Sequence, residues 1–117
     1  ENTNDISSNT GYSGKTIQSF VFLGKRYDVG SWKALLIEIC TLISQMHRES
    51  FDKVLNLQGR KRPYFTREPN ELRAPCPITG TSIYAEVNLS SNRIVKIIHR
   101  LLALFDYTVD DLIIHTN

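Results

Sequence analysis

Polar and apolar residues alternate around a Gly-Lys pair in the stretch SFVFLGKRYDVG, residues 19–30. The alternation puts Phe20 and Phe22 on one face, with Tyr27 and Val29 joining them across the turn. It predicts a β-hairpin that turns at Gly24-Lys25. The period then changes. In SWKALLIEICTLISQMHR, residues Trp32, Leu35, Leu36, Ile39, Ile43 and Met46 recur at helical spacing, while Lys33, Glu38, Thr41, Gln45 and Arg48 lie mostly opposite. This is the pattern of an amphipathic helix. Ser31 is placed to cap it by accepting from a backbone N–H that has no partner within the helix. Phe51, Val54 and Leu55 support a shorter second helix, which Gly59 is positioned to end in the left-handed conformation.

Residues 60–82 break both periods. They hold all four prolines of the chain, Pro63, Pro69, Pro75 and Pro77, and no regular helix survives that density. The expectation is a long irregular connection, of the kind that carries function or disorder. After a turn at Thr79-Gly80, period two returns in SIYAEVN, with Ile83, Ala85 and Val87 facing one way and Tyr84, Glu86 and Asn88 the other. SSNRIVKIIHRLLALF is helical again, capped by Ser90 or Ser91. Ile94, Ile97, Ile98, Leu101 and Phe105 form its apolar stripe, and Arg93, Lys96 and Arg100 a basic stripe on the other side. Thr108 can cap one more turn, with Asp110 and Asp111 at its positive end, and LIIHT reads as the last strand. The predicted fold class is α+β: a small mixed β-sheet with two long amphipathic helices and one short helix. Should LIIHT pair parallel with SIYAEV, the helix between them is a right-handed crossover. A winged-helix-like arrangement is the competing topology, with the first hairpin or the last strands as wing.

Composition changes this picture at the N-terminus. ENTNDISSNTGYSGKT, residues 1–16, is poor in apolar residues and rich in Asn, Ser, Thr and Gly. Such a segment buries too little to offset its ordering entropy. It reads as a disordered linker remnant, leaving residues 17–117 as a single module excised from a longer protein. With 117 residues, 41% of them hydrophobic, the chain is long enough to bury a core without a metal or disulfide staple. Cys40 falls on the apolar helix face and Cys76 between two prolines, with no CxxC pair. Two free thiols fit a reducing cytoplasm better than secretion, and no stretch reaches the length of a membrane span.

The net charge of +2 says little, but its distribution says more. Residues 1–59 carry six cations and six anions; residues 60–100 carry eight cations against Glu68, Glu71 and Glu86; residues 101–117 carry only the acids Asp106, Asp110 and Asp111. Regional basicity of this kind makes a directed field. It is densest in GRKRPYFTR, residues 59–67. There Arg60, Lys61, Arg62 and Arg67 suit phosphate oxygens, and Tyr64 and Phe65 suit stacking on bases. The plain alternative is that the two aromatics anchor the loop to the core and the cations only face water. The second feature is the start of the last long helix, where Ser91, Asn92 and Arg93 stand where a helix offers free N–H groups to a phosphate or side chains to a groove, and Lys96 and Arg100 continue the track. The alternative there is an ordinary capped helix with a solvated basic side.

Catalytic patterns are missing. Asp110 and Asp111 are adjacent and diverge, and there is no GxSxG, P-loop or dinucleotide-binding glycine pattern. His47, His99 and His115 have no metal-ligand spacing. The chain is therefore expected to be no enzyme and to need no metal or cofactor.

The ordered stretches FVFLGKRYDVGSWKALL, GRKRPYF and IYAEVNLSSNRIVKIIHRLLALFDYTVDDLII resemble an accessory module found at the ends of prokaryotic proteins, some of them linked to restriction or phage defence. The likeness spans about residues 20–115. It implies a non-catalytic domain joined to an effector, recognising DNA or a partner subunit, and assigns no role to any residue. The expected function is a nucleic-acid-binding module, for DNA ahead of RNA. The alternatives are a protein-interaction or self-association module and a sensor of a small anionic ligand such as a nucleotide.

Overall fold

The computed structural model describes residues 11–117. Strands β1 (Ile17–Phe22) and β2 (Lys25–Asp28) form the expected hairpin, with Phe20 opposite Tyr27 and their rings stacked at 5.0 Å. The turn is Leu23-Gly24 and not Gly24-Lys25. Both residues have positive φ, 52° and 83°, which is what a two-residue turn of matching twist demands.

Helix α1 (Trp32–Met46) begins where Ser31 Oγ accepts from the Ala34 N–H at 3.1 Å. Leu35, Leu36, Ile39 and Ile43 are buried as their spacing requires, while Met46, in the last turn, is exposed. The short second helix is a 3-10 segment, Phe51–Asn56, that ends at an extended Leu57. Gly59 therefore does not end it in the left-handed conformation; its role lies in the turn that follows.

Residues 60–82 are mostly bends and turns, as expected, but not wholly irregular. They contribute β3 (Phe65–Thr66) and β4 (Pro75–Pro77), which flank β5 (Tyr84–Glu86) in an antiparallel sheet of order β3-β5-β4. The prolines of β4 are tolerated because they alternate on an edge strand, where a missing N–H costs no ladder bond. The bonding side is kept by the Ile78 N–H to Ile83 O, 3.0 Å, and the Val87 N–H to Ala74 O, 3.2 Å.

Helix α2 (Ser91–Leu104) is capped by Ser90, whose Oγ accepts from the Arg93 N–H at 3.2 Å. It stops at Asp106, which takes φ 67° while the Tyr107 N–H closes on Leu102 O at 2.8 Å. β6 (Leu112–Thr116) then pairs antiparallel with β1, giving the order β2-β1-β6. The fold class is α+β as the sequence implies, but the single mixed sheet is two antiparallel three-stranded sheets. No parallel crossover forms, because LIIHT returns to β1. There Ile114 and Leu112 stand opposite Phe20 and Phe22 and extend the same apolar face. β1 is paired on both sides, so the hairpin is not a projecting wing. The apolar stripes of both helices and the inner faces of both sheets meet in one core.

Residues 11–16, expected as part of a disordered linker, pack against the fold. The Tyr12 N–H donates to Asn92 Oδ1 at 2.9 Å, and Ser91 Oγ donates to Tyr12 O at 3.1 Å. The Tyr12 ring meets the Trp32 ring edge-on at 5.2 Å, and Trp32 Nε1 donates to Lys15 O at 3.0 Å. For residues 1–10 that expectation lies outside the described residues. No helix among the described residues is long and apolar enough to cross a membrane.

Candidate nucleic-acid interface

The basic loop is held as a tight turn. Gln58 and Pro63 form an antiparallel bridge, and the Gly59 N–H donates to Arg62 O at 2.9 Å. Arg60 and Lys61 sit at the tip and are exposed. Glycine suits position 59 by close approach: a Cβ there would stand 3.0 Å from Arg62 O and 3.2 Å from the Tyr64 ring, so a larger residue would press on a backbone oxygen already in a hydrogen bond. Tyr64, half-buried, follows the turn. Its hydroxyl accepts from Arg93 Nη1 at 3.1 Å, which joins the loop to α2. Its carbonyl accepts from the Glu86 N–H at 2.9 Å, which joins it to β5.

Glu86 is the residue that sequence reasoning misplaced. The alternation of β5 turns it away from Ala85 and toward solvent, yet it is only 6% exposed. Its Oε1 accepts from the Arg73 N–H at 2.8 Å, and its Oε2 accepts from the N–H groups of Ala74 at 3.1 Å and Asn88 at 2.9 Å. Burial alone would raise the carboxyl's pKa. The three N–H donors and, after them, the nearby Arg62 charge outweigh burial and hold it below the ordinary carboxylate value. The carboxylate thus staples the chain entering β4 to the chain leaving β5, and fixes where Arg73 and Asn88 begin.

Between these elements lies an open cleft of about 450 Å³. The turn with Arg60, Lys61, Arg62 and Pro63 lines one part; Tyr64, Arg73, Glu86, Asn88, Leu89 and Arg93 line the rest. Five cations therefore surround one concavity. The one ion pair among the described residues is Arg26–Asp28 on the hairpin, so among those residues no carboxylate lies within 4.0 Å of a cleft cation. The single acid present, Glu86, is committed to backbone donors. Five cations against the one carboxylate leave the recess with a positive excess, where field lines concentrate.

The fold gathers Arg60, Lys61, Arg62, Tyr64 and Arg93 into this cleft. It does not bring the others. Phe65 is 2% exposed and belongs to the core, so it anchors β3 and has no ring face to offer a base. Arg67 turns to another depression, where its Nε donates to Ser82 Oγ at 3.3 Å. Ser91 and Asn92 are exposed or half-exposed but hydrogen-bonded to Tyr12, so these two side chains at the start of α2 already have a partner within the chain. Lys96 and Arg100 are exposed on the outer face of α2, roughly one and two turns beyond Arg93, and extend the basic surface away from the cleft. Arg73, Glu86 and Asn88 were missed as site residues. The one sequence signal was an acid isolated within the most basic third of the chain, flanked by small and apolar strand residues.

Both cysteines are free thiols. Burial pushes the Cys40 thiol far up, with the Cys76 charge adding to it, which makes it inert as a nucleophile. Among the described residues no group of three or more His, Cys, Asp or Glu is arranged to hold a metal ion. No family model matches the chain, and neither the curated proteins nor the solved structures give a match.

Proposed function

We propose that this chain is a non-catalytic nucleic-acid-binding module, with DNA ahead of RNA as its target, that serves an effector domain elsewhere in a longer cytoplasmic protein. The observation that carries the reading is the clustering of five cations, none ion-paired among the described residues, around a cleft with a half-buried tyrosine. Guanidinium groups match phosphate oxygens in two-pronged geometry, and Lys96 and Arg100 continue the basic surface along α2 at a spacing that follows a strand backbone. Glu86 supports binding and not proton transfer, since its oxygens are engaged by three backbone donors. The test is fluorescence-anisotropy binding to labelled DNA, comparing wild type with Arg60→Ala/Lys61→Ala/Arg62→Ala, with circular dichroism to show that the variant folds. Loss of most of the affinity is the expected result. Equal affinity of the two proteins, or no binding by wild type at low salt, contradicts the reading.

A second reading, a protein-interaction module, is favoured by one observation. Leu23, Val109 and Ile113 are about half-exposed and lie at one corner, where the Leu23 N–H donates to Asp111 O and Val21 pairs with Ile113. Leu23 is also a large apolar residue in a positive-φ turn position, where Asn or Gly is the ordinary choice.

A further inference from the structure

We infer that the cleft takes one unstacked nucleotide, either from a single strand or displaced from a duplex, and does not read base pairs in a groove. The inference rests on the nucleic-acid reading above and narrows it to a substrate class.

Two observations carry it. The first is that the side chains at the start of α2 are already engaged. Base reading in the major groove needs an exposed element that enters a channel about 12 Å wide with its side chains free. Here Ser91 Oγ and Asn92 Oδ1 are both engaged by Tyr12, whose ring is in turn packed on Trp32, and Arg93 Nη1 donates to the Tyr64 hydroxyl at the cleft, so each of the three predicted reading side chains is tied to a neighbour. The second is the shape of the cleft. At about 450 Å³ it falls in the range of small-molecule sites, about 300–1,000 Å³, and a stacked duplex cannot enter it. Its contents suit one nucleotide. Tyr64 supplies an aromatic ring held at its hydroxyl end, where Gly59 lies against the ring and Arg93 bonds the hydroxyl. A base face can lie on such a ring whatever its identity. Arg60 and Lys61 at the turn tip are placed for the flanking phosphates. Arg73 and Asn88, whose backbones Glu86 fixes, bring donor and acceptor groups to the edges of a base that has left its stack.

The test uses three labelled DNAs of one sequence at one salt concentration: a single strand, a flush duplex, and the duplex with a single-nucleotide bulge. Wild type is compared with Tyr64→Leu and Tyr64→Phe, each checked for wild-type melting. The expected result is that the single strand and the bulged duplex bind about tenfold or more tighter than the flush duplex. Tyr64→Phe should keep that preference, since it keeps the ring, and Tyr64→Leu should lose it. Equal binding of all three DNAs, still dependent on Arg60 and Lys61, overturns the inference and leaves the nucleic-acid reading standing. Absence of binding to every DNA removes both. Complete displacement of the single strand by an equimolar free mononucleotide overturns the inference in favour of a small-ligand site.

Discussion

Glu86 decides more of the site than its size suggests. A buried carboxylate with unmet oxygens is costly, and one that accepts three backbone N–H bonds is not. Glu86→Gln keeps the shape but replaces one acceptor oxygen with a donor facing N–H groups. It is expected to lower stability by about 1–3 kcal/mol, measurable in urea melts. The pH dependence follows from the sign of the shift. The folded-state pKa lies below the unfolded value near 4.5, so this contribution is fully present above that value and is lost as the pH falls through the depressed one. Stability of wild type should therefore drop more steeply than that of Glu86→Gln below about pH 4.5; parallel acid limbs would contradict the assignment. Glu86 was illegible in the sequence because alternation predicts which way a side chain leaves a strand, and not what the next loop brings to meet it. Phe65 failed for the complementary reason: in a run of cations and aromatics nothing local separates the ring that anchors from the ring that is offered.

At the scale of elements, the hairpin and both helices were legible because their apolar periods run long enough to average out exceptions, and because Ser31 and Ser90 mark the helix starts. The second sheet was not. β3 and β4 are two and three residues long, too short to show a period, and prolines in β4 look like a loop until the open edge of the sheet absorbs them. The partner of β6 was equally hidden, since its alternation fits β1 or β5 and only the assembled core distinguishes them. The end of α2 carries a prediction of its own. Asp106 holds a left-handed φ of 67°, a conformation that favours glycine. Asp106→Gly is expected to stabilise the protein by about 0.5–1 kcal/mol, equivalent to a rise of a few degrees in Tm. A fall in Tm would show that the aspartate side chain contributes more than its backbone strain costs.

For the whole molecule, the sequence displays the regional excess of cations but not its focus. Folding divides it: Arg60, Lys61, Arg62, Arg73 and Arg93 converge on one recess, Lys96 and Arg100 lead away along α2, and Arg67 is sent elsewhere. Binding that works through phosphates must weaken as salt rises, by about 0.7 in the logarithmic slope for each phosphate neutralised on a single strand. With seven cations in reach the slope should be negative and no steeper than about −5, and it should flatten in Lys96→Ala/Arg100→Ala if α2 is part of the track. The central claim is that the cleft itself is where nucleic acid sits, and the most direct measurement is a ¹H–¹⁵N NMR titration of the chain with a short single-stranded DNA. The account predicts shifts that concentrate on the backbone amides of residues 59–64, Arg73, Asn88 and Arg93 and fade along the outer face of α2. Shifts confined to the corner of Leu23, Val109 and Ile113, or no shifts at low salt, would contradict it.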